Sequence, residues 1–129
     1  MVIFDQSKDI LLVSLGAALG ANIRFIIYKK FEKLNISKYV SILTINSFAS
    51  FLLGFFLPFV PKISYYDFSN QLLLFFSIGF LGSLSTFSTF VYDIFELTVK
   101  LKFFSALKLF AFSLALGIIS LALGFFLVN

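Results

Sequence analysis

Cysteine and histidine are both absent from the 129 residues. Without cysteine the chain forms no disulfide, no thiolate metal site and no thiol nucleophile. Without histidine it lacks the usual proton shuttle at neutral pH and the commonest metal ligand. Charge is scarce as well. Charged residues make up 12% of the sequence, against roughly 25% in soluble domains. What replaces them is apolar: hydrophobic residues reach 60% and mean hydropathy is +1.07. A chain this short has a large surface for its volume and cannot hide that much apolar area from water. This is the composition of an integral membrane protein. The net charge of +4 would hint at nucleic acid in a soluble domain. Here the charges sit between apolar stretches, where topology explains them and no nucleic-acid partner is implied.

Charge-free runs mark the spans. Ile10 to Tyr28 is interrupted only by Arg24, whereas Tyr39 to Pro61, Phe68 to Tyr92 and Leu109 to Asn129 carry no charge. Phe103 to Leu107 extends the last run past Lys108. A helix needs about 20 apolar residues to cross a bilayer core. The expected fold is therefore all-α, a single domain over residues 1–129 with four transmembrane helices near 10–30, 39–61, 69–97 and 103–127. A transmembrane β-barrel would alternate apolar and polar residues, and these runs do not. The N-terminal residues hold Asp5, Lys8 and Asp9. They have no basic region or small-residue cleavage site, so the first span is expected to remain in the mature chain. Phe occurs 21 times, a bias that an AT-rich genome alone could produce.

Small and polar residues recur at helical spacing. Gly16, Gly20 and Arg24 are four apart, as are Asn46, Ser50 and Gly54; Ser113, Gly117, Ser120 and Gly124 follow a similar stripe. Such stripes let helix backbones approach closely, and packing is their plain reading. The third span departs from that pattern. Gly79 to Phe90 holds two glycines and five hydroxyl residues, poor helix formers in mid-span. Two structures are compatible with it. A break would free carbonyls at membrane depth, tolerated only where they are buried in protein or line a wet cavity. An intact helix would instead bond its hydroxyls back to the i−4 carbonyls.

The run Gly82-Ser83-Leu84-Ser85-Thr86-Phe87-Ser88-Thr89-Phe90 resembles the G-x-x-T-T-F-S-T-F signature of the Fluc (CrcB) fluoride channel family. Gly16 to Phe25 is similar to the family's first-helix G-x-x-x-G-A-x-x-R-[YF], and Asn46 to Gly54 to its second-helix N-x-x-G-S-F-x-x-G. The likeness covers nearly the whole chain, and the T-F-S-T-F run is its most specific part. It implies a passive channel in the cell membrane that exports fluoride, built as an antiparallel dimer with a central structural sodium ion. By that likeness the sodium is held by backbone carbonyls at Gly82 and Ser85, and Phe87 and Phe90 face the pore. Asn46 donates from its amide, Arg24 favours anions near one pore mouth, and Ser88 and Thr89, with Ser113, extend a polar track. Without the motif, Phe87 and Phe90 read as lipid-facing or core residues, Asn46 as glue between helices, and Arg24 as a snorkelling side chain. Ser85 stands for the usual Thr, Ala49 for Gly, and Asp93 for a longer Glu; Asp93 is left without a pore role.

Lysines are unevenly shared. Lys8 and Lys62 lie on the side of the termini, while Lys29, Lys30, Lys33, Lys38, Lys100, Lys102 and Lys108 lie on the other. The rule that positive loops stay inside then puts both termini outside. An antiparallel homodimer needs a chain that inserts both ways, which calls for little bias. A heterodimer with a related chain of opposite bias is the alternative. Two other functions compete. A four-helix proton-coupled drug exporter needs a carboxylate within the membrane, and the first span has none. A non-conducting membrane subunit leaves the third-span motif unexplained. No nucleophile–base pair or metal cluster suggests an enzyme, and no ATP motif suggests a pump.

Overall fold

The computed structural model describes residues 2–59, 69–85 and 87–128. Helix α1 is Val2–Lys33 and α2 is Lys38–Phe56, continued by a 3-10 turn at Leu57–Phe59. Helix α3 combines Ser69–Leu72, a wide π-helical stretch Leu73–Leu81 and a short α-turn Gly82–Leu84. Helix α4 is Phe87–Val99 and α5 is Phe103–Val128. No strand occurs among the described residues. Four stretches are long and apolar enough to cross a membrane: Ser7–Lys33, Lys38–Phe59, Leu73–Val99 and Phe103–Val128. The end of the expected second span, Val60 and Pro61, and the expected loop 62–68 lie outside the described residues.

The ends of α1 and α4 close in the same way. Asn35 takes a positive φ of 58°, with its N–H donating to the Glu32 carbonyl and that of Ile36 to Phe31. Leu101 takes φ 61°, with its N–H donating to Thr98 and that of Lys102 to Leu97. Both are Schellman closures, which satisfy the last free carbonyls of a helix. Asn tolerates the left-handed conformation; leucine adopts it at a cost of about 1 kcal/mol. Lys30 and Lys33 in the last turn of α1 also suit the negative end of the helix dipole.

Two helix pairs form the body. In the first, α1 packs on α3 through glycine. A Cβ at Gly79 would sit 2.6 Å from the Val13 carbonyl oxygen, and one at Gly16 would meet the Phe75 carbonyl and lie 2.9 Å from the Phe80 nitrogen. Gly20 faces Ser83 and the Phe80 carbonyl, and the Ser83 hydroxyl donates to the Ala17 carbonyl at 2.8 Å. In the second pair, Gly54 of α2 meets the Leu121 carbonyl of α5, and Gly124 of α5 meets the Phe51 carbonyl of α2. With no hydrophobic force between helices in lipid, such backbone proximity is what holds them together.

The pairs join through buried Ile45, Ala49, Leu81 and Leu84. A second cluster, Leu97, Ala106 and Leu109, seats α4 on α5 beside Tyr39 and Leu43 of α2. Most large apolar side chains of α5 remain exposed, as a lipid-facing helix requires.

Candidate functional site

Helices α2, α4 and α5 enclose three sides of a groove of about 500 Å³. From α2, Asn46 and Ser50 face it, one helical turn apart. From α4 come Phe87 and Phe90, and from α5 Phe110, Ser113 and Gly117. Ser85 lines it as well. The i, i+3 spacing puts both α4 rings on one face. Phe90 stacks on Phe110 with centroids 6.4 Å apart and planes at 29°. Phe87 is 79% exposed, so the groove is open on that side. Its polar groups are one amide and a few hydroxyls, and no charged side chain lines it among the described residues.

Beside this groove one residue leaves helical dihedrals. Ser85 is extended, with φ −70° and ψ 158°, between the end of α3 and the start of α4. Its N–H still donates to the Leu81 carbonyl at 3.1 Å, and its hydroxyl donates to the Gly82 carbonyl at 3.3 Å. Its own carbonyl accepts from Arg24 Nη1 at 3.5 Å. Gly82 is exposed, with nothing within 4 Å of where a Cβ would be. Thr86 lies outside the described residues.

The residues singled out from the sequence thus fall into separate places. Asn46, Ser85, Phe87, Phe90 and Ser113 share the groove. Arg24 touches the Ser85 carbonyl from α1 and does not line it. Thr89 lines a different cavity of about 380 Å³, with Tyr28, Glu32, Lys38 and Ser41. Ser88 is exposed and lines neither. Ser50, Phe110 and Gly117 were not singled out. Ser50 and Gly117 belong to small-residue stripes that read equally well as packing, and Phe110 is one of 21 phenylalanines.

Asp93, to which the sequence assigns no pore role, is completely buried. Lys38 at the start of α2 pairs with its Oδ1 at 2.9 Å and with Glu96 at 3.3 Å; Lys100 pairs with Glu96 at 3.1 Å. The shorter Asp side chain therefore ends in an ion pair between α2 and α4, and neither partner lines the groove.

The family described as "CrcB-like protein, Camphor Resistance (CrcB)" matches residues 11–125. A protein of Prochlorococcus marinus named fluoride-specific ion channel FluC 2 is 59% identical over 120 residues, covering 93% of this chain and 97% of its own length. One of Ignicoccus hospitalis, named fluoride-specific ion channel FluC, is 40% identical over 118 residues, covering 91% of this chain and 92% of its own. One of Pyrococcus horikoshii with the same name is 35% identical over 130 residues, covering 96% and 98%.

Proposed function

The chain belongs to the CrcB family, and from that premise we propose that it is a passive fluoride-selective channel that lets fluoride leave the cytoplasm. It is a multi-pass membrane protein. The observation that carries the reading is the groove in which Asn46, Phe87, Phe90 and Ser113 lie together.

Fluoride is small and strongly hydrated, so a pathway must replace its water with donors. The Asn46 amide and the Ser50 and Ser113 hydroxyls can donate hydrogen bonds. The edges of the Phe87 and Phe90 rings carry partial positive charge. None of these groups is a full cation, so none would trap the ion; weak sites in series favour conduction. Arg24, whose guanidinium donates to the Ser85 carbonyl, would favour anions nearby. Hydrogen fluoride enters cells as a neutral acid and ionises inside. A passive pathway suffices for the anion to leave, and no enzymatic chemistry is needed.

One chain leaves Phe87 bare and the groove open. A second chain in antiparallel orientation would cover both, and would bring exposed Ser88 toward a pathway. Sodium at the centre of that dimer is supported by donor chemistry. No cluster of three His, Cys, Asp or Glu exists among the described residues, so a cation here would be held by carbonyls; those of Gly82 and Ser85, which in the single chain accept from the Ser85 hydroxyl and from Arg24, would turn to it in the dimer. Two chains would offer four such oxygens, suited to a hard cation. Bound there, the ion would offset the cost of an anion in a low dielectric. The lysine asymmetry favours a second version of the assembly, in which the partner is a related chain of opposite bias. The drug-exporter reading fits less well, because the buried carboxylate of Asp93 is paired with Lys38.

Reconstitution in liposomes tests the reading. Fluoride efflux exceeding chloride efflux is expected, with sodium present. Phe90→Ile should slow fluoride by up to about tenfold, the loss of one ring-edge contact. Replacing sodium with a bulky organic cation should abolish efflux. Equal fluoride and chloride rates, or no efflux even with a co-expressed related chain, would overturn the channel.

A further inference from the structure

Where α2 begins and α4 turns into α5, a second groove of about 410 Å³ opens. Its floor is apolar, formed by Leu43, Leu97 and Leu109, with the half-exposed Phe112 ring at its mouth. Its rim carries the two cations Lys102 and Lys108. Among the described residues that line it there is no carboxylate. Leu97 and Leu109 are buried members of the α4–α5 core, so the floor is fixed by packing. The Lys108 ammonium lies 6.0 Å from the Phe112 ring centroid.

The depth of this groove follows from helix length. Beyond Lys108, α5 runs free of charge to Val128, roughly 30 Å at 1.5 Å per residue, which matches a bilayer's hydrocarbon core. Lys108 therefore stands at the edge of the hydrocarbon and Lys102 at headgroup level. Both lie on the side where lysines are concentrated, which the positive-inside rule assigns to the anionic cytoplasmic leaflet.

We propose that this groove holds an anionic phospholipid. Its headgroup phosphate sits between Lys102 and Lys108, and one acyl chain lies along Leu43, Leu97, Leu109 and Phe112. Both halves of the site are needed to choose this ligand. A free phosphate or halide would satisfy the lysines and leave the apolar floor unused. A zwitterionic lipid would fill the floor and bring an extra positive charge to the lysines.

Native mass spectrometry of the full chain, titrated with phosphatidylglycerol or with phosphatidylcholine of identical acyl chains, tests this. Phosphatidylglycerol should be retained preferentially. The double variant Lys102→Gln/Lys108→Gln should weaken its retention roughly 25-fold, since each juxtamembrane lysine contributes about fivefold. Lys102→Arg/Lys108→Arg should keep it, and Phe112→Ala should weaken it for both lipids. Lys29→Gln/Lys30→Gln removes two charges from the same side of the membrane outside the groove, and should change nothing. Equal retention of the two lipids by the wild type, or equal loss from the Lys29/Lys30 variant, would overturn the proposal. So would displacement of phosphatidylglycerol by inorganic phosphate, because the site would then take a free anion.

Discussion

Gly16 and Gly82 have the same side chain and opposite surroundings. A Cβ at Gly16 would strike the backbone of α3, and one at Gly82 would meet nothing within 4 Å. Backbone atoms cannot swing aside as a flexible side chain can. Gly16→Val should therefore cost about 3 kcal/mol or more by overpacking. The expected outcome is loss of monodisperse protein on size exclusion in detergent. Gly82→Ala should leave the thermal midpoint unchanged or raise it, because alanine favours the helical conformation by about 0.5–1 kcal/mol. A Gly16→Val protein as stable as the wild type would mean that α1 and α3 stand further apart. Sequence spacing pointed to Gly16 and Gly20 as contact residues. It could not separate them from Gly82, because contact depends on which way each helix is rotated.

At the scale of the element, the join between α2 and α4 is electrostatic where those of the other pairs are steric. Asp93 is fully buried, while the Lys38 side chain is 49% exposed. Removing the amine leaves a carboxylate without its partner in a low-dielectric interior. The cost of breaking a wholly buried pair is about 3–5 kcal/mol; partial exposure of Lys38 lowers the expected loss for Lys38→Met to about 2 kcal/mol. Lys38→Met/Asp93→Asn should recover most of it, which thermal unfolding of the single and double variants would measure. A double variant no better than Lys38→Met would show that the lysine acts through its packing alone. The extended backbone of Ser85 belongs to this scale too. Its hydroxyl- and glycine-rich surroundings were compatible with either a broken or an unbroken helix, since local propensity is weak against tertiary packing. The closure at Asn35 could be read from residue type, whereas that at Leu101 could not, because leucine is an uncommon choice for a left-handed cap.

For the whole molecule, orientation is the open variable with a sharp test. Seven lysines lie on one side of the membrane and two on the other. If that bias fixes insertion, tags on both termini should be labelled from outside the cell only, and an antiparallel pair must then recruit a second, related chain. Equal labelling from both sides would establish dual insertion and make a homodimer sufficient. The open groove beside the exposed Phe87 bears on the same question. Helices α2, α4 and α5 line this groove, and one chain leaves it open.

Membrane residence and the number of spans were legible in the sequence, because the transfer of residues into lipid is additive along the chain and needs no knowledge of neighbours. Family membership was legible from the run Gly82 to Phe90 for a similar reason: a contiguous motif survives without a fold. Tertiary structure decided the rest. It brought Asn46, Ser85, Phe87, Phe90 and Ser113 to one groove, sent Thr89 to another cavity, and buried Asp93 against Lys38. Those outcomes depend on the rotation and approach of helices far apart in the chain, which the close backbone contacts at Gly16, Gly54, Gly79 and Gly124 fix.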